Sequence, residues 1–404
     1  MSELPIVLLL FLVLAILLRM DIIFYIVYVL TGVYALSRHW AARSLAMLQV
    51  ERRFTDHIFT GETATVQITV RNRSRLPVPW VRFDEAAPAE VSSEGTLMQA
   101  FALGPKDDIT LAYELWGRQR GVYPIGPGQV STGDLFGFGE AKGTAHEPRR
   151  LVVYPRVIPL AAAPLTSNAP YGVIRSRQPI FADPTRVAGV RDYQTGDPLR
   201  AVNWKTSARA GRLQVKKTEP AVSLTTLICL DLNAAAYSRH LRSAATEWAV
   251  VVAASLANYL VGQRQEVGVG SNGRDALTGR ATWTIRPRPG RLHLMKSLEW
   301  LARVQPSQSP AFAEWLPAAT VDLPWGTTVI AVTATGDEAT CRTLHGLRRA
   351  GLNPVLVAVE AHAHFGLIAE RCRRLGITAF ELADENALRR WQLPRTAAPA
   401  GVRP

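Results

Sequence analysis

Two long apolar stretches, separated by a polar triplet, open the chain. The first covers Leu4–Leu18 and the second Ile22–Leu36, with Arg19–Asp21 between them. One helix over both stretches would be about 50 Å long, against a hydrocarbon core of about 30 Å. It would also hold two charged side chains near the centre of the bilayer, which is costly. The pattern therefore predicts a transmembrane helical hairpin over residues 1–40 that turns at Arg19–Asp21.

A secretory signal peptide and a single tilted span are two other interpretations of this segment. A secretory signal peptide has a basic first region and one short apolar core. Here Met1–Glu3 contains neither lysine nor arginine, and a second apolar stretch follows. These features argue against a signal peptide and leave a single tilted span as the alternative to two short ones.

The residues that follow the second apolar stretch in the sequence indicate on which side of the membrane the rest of the chain lies. Basic residues follow it closely, namely Arg38, His39, Arg43, Arg52 and Arg53. Basic residues near a membrane span favour the cytoplasmic side, and Tyr34 and Trp40 suit the interfacial region. We expect an anchor in the cell (inner) membrane with cytoplasmic soluble domains.

Residues 48–155 have the short-period pattern of β-strands. Val66, Ile68 and Val70 alternate with polar residues, as in a half-buried strand. Val78–Phe83 and Ile109–Leu115 are further strand candidates, and a glycine-rich region with tight-turn composition follows. This spacing predicts an all-β, immunoglobulin-like sandwich.

Residues 221–393 alternate apolar strand segments with amphipathic helix segments. The predicted strands are Leu224–Leu230, Val267–Gly270, Thr327–Val332, Val355–Val359 and Thr378–Leu382. Helices are predicted from Leu241 to Tyr259, over Asp337–Ala350 and over His364–Leu375. This order predicts an α/β domain with a mostly parallel sheet. Residues 156–220 are a linker and a signature segment, and residues 394–404 are predicted to be a disordered tail.

Composition narrows the functional classes. The 404 residues carry a formal net charge of +13, which suits anionic lipid headgroups or nucleic acid. The three cysteines, Cys229, Cys341 and Cys372, form no CxxC pair. That spacing argues against a disulfide framework or a zinc knuckle and favours a reducing compartment.

The signature segment holds the densest group of candidate site residues. Asp197 as N-cap, Pro198 in the first turn and Gly211 beyond the end predict a helix between them. Three interpretations fit this pattern: a solvated basic helix, an Arg/Asp network that locks the segment onto the next domain, and an interface or ligand site. The candidate interaction residues are Arg191, Asp192, Tyr193, Gly196, Asp197, Arg200, Asn203, Trp204, Lys205, Ser207 and Arg209.

The string GVRDYQTGDPLRAVNWKTSAR, followed by LQVKK, resembles the signature of the domain of unknown function 58 family of prokaryotic proteins. The resemblance covers nearly the whole chain and includes the RQRGVYPIGP stretch. It implies a partnership with MoxR-type AAA+ ATPases, and possible association with transglutaminase-like and von Willebrand factor A-like proteins. It also implies a C-terminal domain similar to von Willebrand factor A.

That last similarity raises the question of a metal site. Von Willebrand factor A domains carry an Asp-x-Ser-x-Ser motif after the first strand, where a hard cation takes oxygen ligands. Asp231 is retained here and Asn233 offers an oxygen, but Ala235 has none. The sequence therefore predicts a degenerate site; a metal-free scaffold is the main expectation and bound Mg²⁺ the alternative.

Other motifs carry less weight. Gly268–Gly273 matches GxGxxG, but the following residues are predicted to return as a hairpin and not to open a helix on a phosphate. No P-loop string GxxxxGK[ST] occurs, and His362 and His364 are predicted to lie in a loop. The leading hypothesis is a non-enzymatic interaction or scaffold protein. The alternatives are a hydrolase or transferase using Arg191, Asp192, Asp197 and Arg200, and, more weakly, a nucleic-acid binder.

Overall fold

The structure is a computed structural model that describes residues 4–18, 21–92, 96–134, 140–160, 182–193, 202–220, 225–360 and 365–391. The chain divides into two compact units. The first comprises Met1–Ile158, Gly273–Ala281 and Met295–Ser307, and the second comprises Pro159–Asn272, Thr282–Leu294 and Gln308–Pro404. The predicted tail, 394–404, lies outside the described residues.

The first part of the chain contains two helices and ten strands. They are α1 (Leu4–Leu18), α2 (Asp21–Met47), β1 (Leu48–Arg53), β2 (His57–Phe59), β3 (Thr63–Asn72), β4 (Val78–Ala86), β5 (Thr96–Leu103), β6 (Asp108–Trp116), β7 (Gly121–Ile125), β8 (Gly128–Gly133), β9 (Glu140–His146) and β10 (Arg149–Tyr154).

Helices α1 and α2 lie side by side, and Leu8 and Val27 are buried where they meet. Most other apolar side chains of the pair face outward, as a lipid-facing hairpin would require. The two predicted arms are therefore present as helices, while Arg19 and Met20 of the predicted turn lie outside the described residues. By length and composition alone, α2 could cross a membrane. The helix Arg242–Gly262 of the second unit passes the same test, but it is mostly buried.

Helix α2 is longer than predicted, because it continues past residue 40 to Met47 and leads directly into β1. The small residues Ser37, Ala41 and Ser44 form a buried stripe along the second half of α2. Here α2 packs against β8 and β9. Small side chains let the helix approach the sheet closely, so packing extends the helix beyond the apolar stretch that marks it in the sequence.

Strands β1 to β10 form three sheets around one core. Their strand orders are β1-β3-β6, β2-β10-β7 and β5-β4-β8-β9. The predicted alternation in β3 is confirmed, since Val66, Ile68 and Val70 are fully buried and their neighbours largely exposed. Phe83 of β4 and Leu115 of β6 are buried in the same core.

A charged cluster interrupts this apolar core. Glu85 is 1% exposed, and its carboxylate contacts Arg52 at 2.5 Å and His146 at 2.7 Å. The Tyr113 hydroxyl donates to its second oxygen at 2.8 Å. The cluster links β1, β4, β6 and β9, so buried charges join strands from two sheets.

The remaining elements form a two-stranded hairpin and a helix-covered sheet. They are β11 (Ala182–Asp192), α3 (Trp204–Ala210), β12 (Gln214–Pro220), β13 (Thr225–Leu230), α4 (Arg242–Gly262), β14 (Glu266–Asp275), β15 (Ala281–Arg288), α5 (Arg291–Arg303), β16 (Val304–Gln305), α6 (Phe312–Thr320), β17 (Thr328–Thr333), α7 (Glu338–Arg349), β18 (Asn353–Ala358), α8 (Phe365–Arg374), β19 (Thr378–Glu381) and α9 (Glu385–Arg389).

The large sheet has the strand order β15-β14-β13-β17-β18-β19, and β16 pairs with β14. Each pairing from β14 through β13, β17 and β18 to β19 is parallel. The predicted parallel sheet is therefore confirmed. Its central strand β13 is buried almost throughout, as expected of a strand covered on both faces.

All three cysteine thiols are buried, and none forms a disulfide. Cys341 of α7 and Cys372 of α8 have their sulfur atoms 3.7 Å apart, whereas Cys229 lies alone in β13. Because reaction requires an accessible thiolate, we expect no reaction with a thiol reagent in the native protein and three equivalents after denaturation. Stoichiometric labelling of the folded chain would contradict this core arrangement.

Candidate functional site

The signature segment folds as a hairpin that holds a short helix. Strands β11 and β12 pair antiparallel, with Asp192 opposite Gln214. Val202 forms a single bridge with Val215, and α3 begins two residues later. Gly211 ends the helix with a left-handed φ of 68°, a conformation that favours glycine.

This arrangement corrects the predicted helix start. The helix begins at Trp204 with Asn203 as its N-cap, and not at Pro198 after Asp197. The extended backbone at Val202, fixed by its bridge, excludes a continuous helix from Pro198. Asp197 and Pro198 themselves lie outside the described residues.

The inner side of α3 is fixed to β12 by hydrogen bonds. The amide of Gln214 donates to the hydroxyl of Ser207 at 2.8 Å, and that hydroxyl donates to the carbonyl of Asn203 at 2.8 Å. Asn203 also caps the helix by accepting from the amide of Thr206. Asn203 and Ser207 thus hold the segment together.

Asp192 has a similar structural role at the end of β11. Its carboxylate accepts a short hydrogen bond from the side chain of Gln214 and forms an ion pair with Arg212 at 2.9 Å. Because both oxygens are engaged, Asp192 supports the hairpin.

The outer side of α3 presents the remaining candidates to solvent. Trp204 is 65% exposed, and Lys205 and Arg209 are exposed beside it at helical spacing. Leu213 lies at the base of the same hairpin and is also exposed. We call Trp204, Lys205, Arg209 and Leu213 the signature surface.

The structure does not describe several of the predicted site residues. Gly196, Asp197 and Arg200 lie outside the described residues, as does the side chain of Arg191. Tyr193 is half-buried, and its amide donates to the carbonyl of Leu213.

A second candidate site lies at the carboxyl edge of the large sheet, where β13 and β17 meet. The chain leaves β13 towards β14 on one side, and β17 lies on its other side, so this is a topological switch point. Asp231 follows β13 and is 1% exposed. Its Oδ1 accepts from the side-chain amide of Asn272 at 3.0 Å, and its Oδ2 accepts from the hydroxyl of Thr333 at 2.8 Å.

Burial raises the pKa of Asp231, and the nearby carboxylate of Asp337 adds to this effect. The hydrogen bonds from Asn272, Asn233 and Thr333 oppose the shift without cancelling it. The ionised form is therefore held at a cost in free energy, and the surrounding donors limit that cost.

The residues at this edge do not fit a hard divalent cation. Asp231 also accepts from the amide of Asn233, so both its oxygens are used by N–H and O–H donors. The side-chain oxygen of Asn233 accepts from the amide of Ala235, and its amide donates to the carbonyl of Ser309 at 2.8 Å. Across the described residues, no three His, Cys, Asp or Glu side chains are grouped to hold a metal.

Asn272 and Thr333 were not predicted as partners of Asp231, although both lie in segments that the sequence marks. Asn272 lies within the GxGxxG match, which forms part of β14. The chain then returns as β15 beside β14, so the predicted hairpin is confirmed. Gly268 is required there because a Cβ would clash with the backbone of β15 at Ile285. Thr333 is the last residue of β17, so it lies at the same carboxyl edge of the sheet as Asp231. His362 and His364 lie outside the described residues.

Comparison with known proteins identifies a matching family and a related protein. Residues 189–319 match the model of the family described as "Protein of unknown function DUF58", which confirms the resemblance. The uncharacterized protein YeaD of Bacillus subtilis is 27% identical over 251 residues, which cover 61% of this chain and 59% of that protein. The chain thus covers less than two thirds of that relative's length.

Two solved structures each match about a quarter of the chain. The CARDB domain of a Pyrococcus furiosus protein is 19% identical and covers 26% of this chain and 84% of its own, with a TM-score of 0.20. Red sea bream transglutaminase is 13% identical over 27% of this chain and 15% of its own, with a TM-score of 0.18. At such TM-scores neither resemblance bears on function.

Proposed function

We propose that this chain, whose residues 189–319 carry the DUF58 family match, is a membrane-tethered, non-enzymatic interaction or scaffold protein. It presents its folded units at the cytoplasmic face of the cell (inner) membrane. There it partners a MoxR-type AAA+ ATPase in the assembly or maturation of envelope or other complexes. Transglutaminase-like and von Willebrand factor A-like proteins are further candidate partners. The role requires neither a catalytic group nor a resident metal.

The hairpin of α1 and α2 supports the tether. Its outward-facing apolar side chains need an apolar environment, since large exposed apolar patches are rare on soluble proteins. Arg38, His39 and Arg43 follow on α2 and favour a cytoplasmic continuation. Because α2 packs against β8 and β9, it connects the hairpin to the first unit without a linker.

The sheet arrangements support a finer assignment of the two units. Three sheets with one shared core suit an immunoglobulin-like sandwich. The order β15-β14-β13-β17-β18-β19 suits a doubly wound, von Willebrand factor A-like domain with a degenerate metal motif. Both folds serve as binding modules in many unrelated proteins.

The exposure of Trp204 is the observation that carries the proposal. Asn203 and Ser207 fix the inner side of α3, so the indole is held in solvent by a rigid support. Tryptophan and arginine are the residues most enriched in interaction hot spots. Lys205 and Arg209 beside it favour an acidic partner surface.

The hydrolase or transferase alternative gains no support from this geometry. Asp192 is engaged with Gln214 and Arg212. Asp197, Arg200 and the side chain of Arg191 lie outside the described residues. We therefore develop only the interaction proposal.

Affinity purification tests the proposal. We expect tagged full-length chain, crosslinked and extracted in detergent, to recover an AAA+ ATPase, and Trp204→Ala to reduce that recovery at least about tenfold, as for a hot-spot residue. Trp116→Ala is the matched control, because Trp116 is 50% exposed but lies in the first unit. Recovery of no ATPase, or equal losses in both variants, would overturn the proposal.

A further inference from the structure

The amino-terminal edge of the large sheet has an unusual surface. Strands β14, β17, β18 and β19 run parallel and begin at this edge, so the segments that precede them lie together there. These segments follow the carboxyl ends of α4, α6, α7 and α8. We call this surface the basal edge.

Contacts between neighbouring segments make the basal edge continuous. The indole of Trp325 covers Gly351, where a Cβ would clash with it, and the Gly326 amide donates to the Gly351 carbonyl at 2.8 Å. Arg348 covers Gly376 in the same way. The segments before β17, β18 and β19 therefore form one packed surface.

The end of β15 joins this surface from the other side. Arg286 forms an ion pair at 2.5 Å with Asp322, which lies in the segment before β17. The turn after β15 and the first residues of α5, including Leu292, follow directly. The loop between β15 and α5 therefore extends the basal edge.

Positive charge dominates the basal edge. Its arginines are Arg264, Arg286, Arg288, Arg291, Arg348, Arg349, Arg373 and Arg374. The carboxylates at or near it are those of Glu266, Asp322 and Glu370. Asp322 pairs with one of these arginines and Glu370 with two, so a clear excess of positive charge remains.

Large apolar side chains project from the same surface. Leu292 is 84% exposed, Val321 is 78% exposed and Trp325 is 66% exposed. The exposure of these apolar side chains to water does not stabilise the fold. Aliphatic and tryptophan side chains surrounded by arginine are the composition of protein surfaces that rest in the interface of an anionic membrane.

We propose that the basal edge docks on anionic phospholipid headgroups, with Leu292, Val321 and Trp325 entering the interfacial layer. The inference rests on the proposed membrane anchor, which keeps the second unit near lipid at a high effective concentration. Docking of this kind gives the tethered unit a preferred orientation at the membrane and leaves the carboxyl edge of the sheet away from lipid.

The buried native thiols allow a site-specific test on the full chain. Val321→Cys would place an accessible thiol at the basal edge, and Arg239→Cys would place one near the opposite edge as a control. Each variant carries an environment-sensitive fluorophore and is reconstituted into lipid nanodiscs. One set of discs contains phosphatidylcholine, and the other contains equal parts phosphatidylcholine and phosphatidylglycerol.

We expect the label at position 321 to shift to the blue only in phosphatidylglycerol discs, and the label at position 239 to shift in neither. High salt should reverse the shift, because it screens surface charge. Arg291→Glu with Arg349→Glu should lower the docking constant at least roughly 25-fold, at about fivefold per arginine removed. Leu292→Ser, which leaves the charge intact, should weaken docking with the fold preserved.

The outcomes separate the inference from the proposed anchor. A chain that fails to co-purify with either kind of disc would overturn the anchor itself. A chain that co-purifies while the position-321 label stays in water in both discs would overturn the docking inference alone. A shift induced by duplex DNA, and none by phosphatidylglycerol, would assign the basal edge to nucleic acid and overturn lipid docking.

Discussion

Replacing Glu85 with glutamine is expected to destabilise the first unit by about 3–5 kcal/mol, because it leaves the buried guanidinium of Arg52 without its counter-charge. The side chain of Arg52 is 6% exposed and that of Glu85 is fully buried. Glutamine keeps the shape of the side chain, so the effect isolates the charge. The apparent melting temperature of the purified protein should fall by roughly 6 °C or more.

The pH dependence provides a second measurement of the same cluster. Burial raises the pKa of Glu85, but hydrogen bonds from His146, Tyr113 and Arg52 outweigh it, so the pKa lies below its usual range. A lowered folded-state pKa stabilises the protein above the unfolded-state value of about 4.3. That stability is lost as the pH falls through the folded-state pKa. Glu85→Gln should therefore abolish this acid-induced loss.

A matched surface variant separates the cluster from general effects of charge. Glu51 pairs with Arg53, but both side chains are more than half exposed. Glu51→Gln should change stability by less than about 0.5 kcal/mol, as exposed ion pairs contribute little. If the Glu51 and Glu85 variants melt at the same temperature, the buried cluster does not stabilise the unit as described.

Asp231→Ala is expected to destabilise the second unit by about 3 kcal/mol, whereas Asp231→Asn should change the stability of that unit by less than about 1 kcal/mol. Alanine leaves buried donors of Asn233, Asn272 and Thr333 without an acceptor. Asparagine keeps one oxygen for the two amide donors, and its own amide can donate to the hydroxyl of Thr333. Thermal unfolding of the two variants in parallel measures the difference.

The raised pKa of Asp231 gives a pH dependence of opposite sign to that of Glu85. The folded state holds the proton more tightly than the unfolded state, so stability falls as the pH rises from about 3.9 through the folded-state pKa. Asp231→Asn lacks this penalty, and its stability relative to the parent protein should rise over that interval. A millimolar Mg²⁺ dependence that the parent shows and Asp231→Asn lacks would contradict the metal-free account of this edge.

Much of the fold follows from the apolar pattern of the sequence. Strand β3 was predictable because Val66, Ile68 and Val70 alternate with polar residues on a half-buried sheet. Strand β13 and helices α7 and α8 were predictable from uninterrupted or periodic apolar residues. Helices α5 and α6 were missed, and α6 contains Pro317, which normally argues against a helix.

The candidate sites were less predictable, because long-range contacts determine them. The start of α3 depends on the pairing of Val202 with Val215, which no local residue preference reveals. Asp231 was identified from its motif, but its partners Asn272 and Thr333 lie at least 41 residues away. The solvent exposure of Trp204 could not be deduced from the sequence either, because a tryptophan at helical spacing is normally a core residue.

Photo-crosslinking from position 204 in intact cells tests the central claim most directly. A photoreactive phenylalanine derivative in place of Trp204 should form light-dependent adducts that contain an AAA+ ATPase, because the indole lies at the proposed interface. The same residue in place of Trp325 should not. If the chain substituted at position 204 stays in the membrane fraction yet forms no ATPase adduct, the signature surface is not the proposed ATPase interface.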